Sequence, residues 1–176
     1  IPNRSPLIQR SNPQPLDVFE IPLADAPVGD LYQCENLFVQ GFNWKRVGKL
    51  AAEDLAPYLE NTGVVLHNHL DRVPASYFTG LPVDEWKSLQ LIRVNAGFSQ
   101  VVDIRGAARW QALFCDGSGH RLSLRLTDTA FEAWLNGGGQ TGGEFILAVS
   151  LAEPFSSGSS VKYCYKLVAG VIPTGA

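Results

Sequence analysis

The chain has 176 residues, of which 45% are apolar and 18% charged, and its formal net charge is −3. That length supports one domain burying roughly 70% of the surface its unfolded form exposes, and no apolar run approaches the ~20 residues of a membrane-spanning helix. The acidic balance argues against a protein whose main task is neutralising phosphate, which shows as a basic excess or a Lys/Arg cluster, so nucleic acid is expected as a secondary partner at most.

Three cysteines, Cys34, Cys115 and Cys164, form no CxxC spacing. Neither a disulfide framework nor a zinc site is suggested, and a reducing compartment fits best. Methionine is absent at every position, including the first. The expectation is a proteolytic product, such as a segment of a polyprotein, or a chain trimmed at both ends.

Residues 1–30 hold six of the eleven prolines (Pro2, Pro6, Pro13, Pro15, Pro22, Pro27) and a single glycine, Gly29. Such a stretch prefers an extended, polyproline-like path. Leu7, Ile8, Leu16, Val18, Phe19, Ile21 and Leu23 are too apolar for a freely solvated tail, so the segment is predicted to be an arm draped over this domain or another chain. Residues 36–45 (NLFVQGFNWK) read as a strand, 51–60 as a brief helix cut short by Pro57, and 63–70 (GVVLHNHL) as another strand. In 84–94 (DEWKSLQLIRV) two acids open a segment that places Trp86, Leu89 and Ile92 or Arg93 at helical spacing, which predicts a short helix.

The centre of the chain has the two-residue rhythm of half-buried strands. Phe98, Val102 and Ile104 fall on one face, opposite Ser99, Asp103 and Arg105. Trp110, Ala112 and Phe114 oppose Arg109 and Gln111, and Leu122, Leu124 and Leu126 oppose Arg121, Ser123 and Arg125. The breaks at 106–108 and 116–119 are short and turn-forming, so the strands should pair as hairpins. Residues 130–135 fit a short strand or a helical turn, and 137–143 (GGGQTGG) an irregular loop. Two closing strands follow: Phe145, Leu147, Val149 and Leu151 share a face in the first, and Val161, Tyr163, Tyr165 and Leu167 share one in the second, with Lys162 and Lys166 opposite. The sum is an all-β chain: an eight-stranded antiparallel jelly-roll sandwich over 31–176, with one or two short helices in loops and an extended N-terminal arm over 1–30.

Two constellations invite chemistry. His67 and His69, at i and i+2 of a predicted strand, project from one face and can share a metal. The HxH sites of cupin-type jelly rolls add a nearby Glu and a later His, however, whereas here Asp71 follows and His120 is the remaining histidine. A solvent-facing or interface pair is the preferred reading. Residues 115–120 bring Cys115, Asp116, Ser118 and His120 together, the ingredients of nucleophilic catalysis. Triads assemble from distant segments, and Asp-Gly-Ser-Gly is what a tight turn needs. The 137–143 loop lacks the ending of a phosphate-binding loop. Trp44, Trp86, Trp110 and Trp134 are too dispersed to favour a sugar-stacking platform over core or interface roles. No catalytic, metal-binding or cofactor-binding residue is therefore assigned, and no enzyme activity is expected.

Residues 84–117 (DEWKSLQLIRVNAGFSQVVDIRGAARWQALFCDG) and 159–171 (SSVKYCYKLVAGV) resemble the middle and the last strand of coat-protein domains from plant picorna-like viruses. The size is similar to that of the small coat subunit of cheraviruses, of the secovirus family. The resemblance implies a capsid protein, cut from a polyprotein, that assembles with sister coat proteins into an icosahedral shell around single-stranded RNA. The virion, assembled in host cytoplasm, would be its location, genomic RNA a weak partner at the inner surface, and no membrane would be involved. The alternatives are a cupin-like metal enzyme and a carbohydrate-binding β-sandwich.

Overall fold

Alternating side chains do what the sequence demands in the second half of the chain, where five strands close on themselves. The computed structural model describes residues 13–27, 33, 36–41, 44–82, 85–103, 106–156, 158 and 160–175. Strand β6 (Leu89–Val102) pairs antiparallel with β7 (Ala108–Cys115), and β7 with β8 (Arg121–Leu126). From β8 the sheet passes to β10 (Tyr163–Pro173), which runs parallel to it, then antiparallel to β9 (Gly142–Leu151), which returns antiparallel to β6. Every predicted inward residue of β7, β8 and β9 lines the interior. Ala112, Phe114, Leu122, Leu124, Leu126, Phe145, Leu147, Val149 and Leu151 are buried, and Trp110 packs partly buried against them.

A helix, α2 (Thr129–Asn136), sits between β8 and β9 and settles the ambiguity of 130–135. Its Phe131 ring lies 4.8 Å from Phe98 and 5.8 Å from Phe145, centroid to centroid, so the helix completes the core. Asp128 starts it. One carboxylate oxygen accepts from the Phe131 amide and the other from the Val171 amide of β10, each at 3.0 Å, which joins the helix cap to the last strand. Asp128→Ala is expected to cost about 1–2 kcal/mol, and Asp128→Asn, which keeps one acceptor but turns an NH2 toward the other backbone donor, an intermediate amount; thermal denaturation of the two variants checks this.

The first half is built of smaller pieces. β1 (Asp17–Glu20) pairs with β4 (Lys45–Lys49), and β2 (Leu23–Pro27) with β3 (Leu37–Val39), each pair antiparallel. The described part of the predicted arm, 13–27, thus pairs with this chain's own residues; 1–12 and 28–30 lie outside the described residues. The brief helix with Pro57 is a 3-10 helix, Ala52–Tyr58. β5 (Arg72–Pro74) and α1 (Ala75–Phe78) lead to the barrel, and β5 pairs with the first residues of β10.

The all-β class is what the structure shows, but several elements differ from expectation. Ten strands are described, one pairing, β8 with β10, is parallel, and five strands form a ring. The helix expected over 84–94 is absent among the described residues: β6 already begins at Leu89, because β9 offers a continuous partner from Leu89↔Ser150 to Gly97↔Gly142. Pairing overrides a helical spacing only about two turns long. The strand expected over 63–70 is a chain of turns, with Leu66 at φ 43° and His67 at φ 75° in left-handed backbone. Val102, placed inward by its parity with Phe98, is 72% exposed, since β6 outruns the core there; Ile104 and Arg105 lie outside the described residues. In β10 the faces are inverted. Cys164, Lys166 and Val168 are buried, while Tyr163, Tyr165 and Leu167 look outward.

Candidate nucleic-acid interface

The rhythm that sends three leucines of β8 into the core sends Arg121, Ser123 and Arg125 out. Arg109, Gln111 and Leu113 of β7 lie on the same outer face, and so do Tyr163, Tyr165 and Leu167 of β10. Register aligns them: Gln111 lies opposite Arg125, Leu113 opposite Ser123, and Leu167 beside Arg125. The Ser123 hydroxyl donates to the Gln111 amide oxygen at 2.7 Å and orients it. Arg121 and Arg125, four residues apart on one strand, stand ~13 Å apart along it. Both are exposed, and neither forms an ion pair with a described residue, whereas Arg109 is held by Asp103 at 2.8 Å.

The 152–162 loop between β9 and β10 supplies an aromatic rim. Phe155 and Tyr163 exchange both backbone hydrogen bonds at 2.9 Å, and the Ala152 amide donates to the Tyr165 carbonyl at 2.8 Å. The loop is thereby laid along β10, and the Phe155 ring is left 60% exposed. Arg72 of β5 lies 4.9 Å from the Tyr163 ring centre and 5.9 Å from that of Tyr165, within cation–π range. Between these parts is a concavity of ≈ 370 Å³ lined by Gln111, Ser123, Arg125, Phe155, Tyr165 and Leu167, with Asp71 and Glu153 among its other lining residues.

Lys166 holds this arrangement from behind. Its ammonium, buried at 2% exposure, donates to the Val65 carbonyl (2.6 Å), the Asn68 carbonyl (2.7 Å) and the Asn68 side-chain oxygen (2.9 Å). Burial pushes its pKa down to about 8, against the pull of Asp71 and Asp116. The backbone amide of Lys166 meanwhile donates to the Asp71 carbonyl at 2.8 Å, so the turn leading into Arg72 is fixed from both sides.

The histidine motif divides. His67 Nε2 lies 2.7 Å from the Lys87 carbonyl, with its ring against Tyr77 and Phe78. His69 Nδ1 instead lies 2.6 Å from an Asp116 oxygen, and its ring stacks on His120 at 3.8 Å. The pair does not share one strand face, because no strand forms there. Asp116 is the hub of the predicted tight turn. Its second oxygen accepts from the Ser118 and His120 amides, each at 2.9 Å, and Gly119 takes φ 84°. Gly117 is required for a different reason: a Cβ there would lie 2.5 Å from the Thr62 carbonyl oxygen. Burial alone raises the Asp116 pKa, but the hydrogen bonds from His69, His120 and Ser118 outweigh it and hold the carboxyl below its ordinary value. Cys115 is exposed; Cys164 is sealed in the core, where burial pushes its thiol up to about 11; Cys34 lies outside the described residues. Trp86 and Trp110 pack on the core, and Trp134 is 44% exposed on α2. Sequence reasoning did not single out Phe155, Arg125 or Lys166, although the Arg121-Ser123-Arg125 alternation was visible.

Five strands joined in the order β6-β7-β8-β10-β9 and back to β6, with a helix after the third, make a Greek-key barrel of the OB kind. The chain belongs to the dual OB-containing domain family, whose model matches residues 2–171. No curated protein and no solved structure matches it.

Proposed function

We propose that this chain is a binding module that takes single-stranded nucleic acid across the outer face of β7, β8 and β10. Barrels of this kind use the face of their second and third strands, with the loop before the last strand, for oligonucleotides or oligosaccharides. The observation that carries the reading is the grouping on that face of two arginines that form no ion pair among the described residues with a hydrogen-bond-fixed, exposed Phe155. Arginines suit phosphates, and an exposed ring suits any unstacked base. The net charge of −3 is an average over the whole chain, and Arg121 and Arg125 stand on one face of one strand. Fluorescence anisotropy with a labelled single-stranded oligonucleotide, a matched duplex and a neutral glucan tests this. Preferential binding of the single strand, with a log–log salt slope of about −1.4 for two phosphates, is expected. Binding of the glucan alone, or of nothing, overturns it.

The coat-protein reading stands as a second proposal, with the sister subunits, genomic RNA and virion location that it carries. Its support is the exposure of Leu23, Leu37, Phe38 and Val39 on β2 and β3, apolar surface that suits contact with a neighbour. Light scattering separates the two: a many-copy particle favours a shell, and a monomer across the concentration range rules it out.

A further inference from the structure

From the meeting of two loops at one end of the barrel we infer a site for a divalent transition-metal ion of the zinc class, ligated by His69, Asp116 and His120. The turns of 63–70 deliver His69, and the β7–β8 turn delivers the other two. One donor atom from each residue lies within 4.8 Å of the others. His69 Nδ1 is 2.6 Å from one Asp116 oxygen, His120 Nδ1 is 3.7 Å from the other, and the two imidazoles stack at 3.8 Å with 25° between their planes.

Three features make this more than a hydrogen-bonded turn. The Asp116 side chain is fully buried, and one of its oxygens is committed to the Ser118 and His120 amides, so the carboxylate keeps its orientation if the His69 proton is exchanged for an ion. Backbone donors here play the part that outer hydrogen bonds play around a metal ligand. The imidazoles are reachable, with side-chain exposures of 37% for His69 and 55% for His120. The two Nδ1 atoms approach different oxygens of the same carboxylate, at 2.6 Å and 3.7 Å, so three donor groups from two loops converge on one point. Two nitrogens and one carboxylate oxygen at ≈ 2.0–2.2 Å satisfy zinc and leave a position for water. His120, the more exposed ring, turns out of the stack so that its nitrogen lone pair, which lies in the ring plane, points at the ion. Ligation uses neutral histidines, so a His69 ring that binds the ion through Nδ1 carries its one proton on Nε2.

The test is calorimetric titration of the chelator-treated full chain with zinc chloride. One ion per chain is expected. His69→Ala and His120→Ala should each weaken binding by at least ~10-fold, while His67→Ala and Cys115→Ser bind as the parent does. Asp116→Asn should also lose the ion, but because it disturbs the turn, His120→Ala on a half-exposed ring is the deciding variant. The inference is overturned if the parent neither binds nor gains thermal stability at about 1 mM zinc. It is equally overturned if His120→Ala binds as tightly as the parent, or if His67→Ala weakens binding as much as His69→Ala does.

Discussion

Lys166→Met is expected to lower the melting temperature by about 10 °C and to release the 63–70 turns to protease. Methionine matches the stem of the lysine but donates nothing, so the Val65 carbonyl and both Asn68 oxygens lose their donor. Stranding buried acceptors costs roughly 1–3 kcal/mol each, more when the lost donor was charged. Even with partial relaxation, a total of about 3–5 kcal/mol follows, and in a chain of this size each kcal/mol moves the midpoint by ~2–4 °C. A midpoint unchanged by the substitution would show that the ammonium is dispensable.

The pH profile carries an independent signature. Lys166 has a folded pKa of about 8 against an ordinary 10.5, so between those values the unfolded chain holds a proton that the folded chain has shed, and stability rises with pH. Cys164, raised from 9.0 to about 11, works the other way across its own window, because there the folded chain holds the extra proton. Stability should therefore climb by ~1.4 kcal/mol from about pH 8 to 9, hold while the two effects oppose, and fall as pH approaches 11. In Lys166→Met the first climb disappears and the alkaline fall remains. Chemical denaturation at stepped pH reads both.

Phe155→Ala is expected to weaken single-strand binding by about 10-fold or more, since an aromatic ring stacked on a base contributes ~1–3 kcal/mol. The melting temperature should not change: the ring is exposed, and the loop is tied to Tyr163 through backbone atoms that alanine keeps. Arg125→Ala should act differently, weakening all single strands alike and flattening the log–log salt slope by about 0.7, one phosphate's share. A Phe155→Ala protein that binds as the parent does would move the interface off this rim.

Half-buried strands declare themselves, which is why β7, β8 and β9 were legible residue by residue. β10 was not, although its rhythm was equally clean. Tyr163, Tyr165 and Leu167 look like an inner face beside two lysines, and the decision turns on whether a lysine can be satisfied inside. It can here, because oxygens 98 and 101 residues away in sequence close on its ammonium. Nothing local announces that. The helix expected over 84–94 failed for a related reason, since the winning partner, β9, lies some fifty residues on. The His69–Asp116 contact spans 47 residues and arises because 63–70 turns where a strand was expected. The turn chemistry of 116–119, by contrast, is written in its own four residues.

The position of β10 between β8 and β9 also bears on how this molecule is made. Its pairings join residues far apart in the order of synthesis, and no shorter stretch contains a complete ring. A ribosome must release the chain through Pro173 before the cylinder can shut. Until that moment two rows of backbone donors and acceptors stand unpaired, and the nascent protein depends on speed, or on a chaperone, to avoid pairing with a stranger.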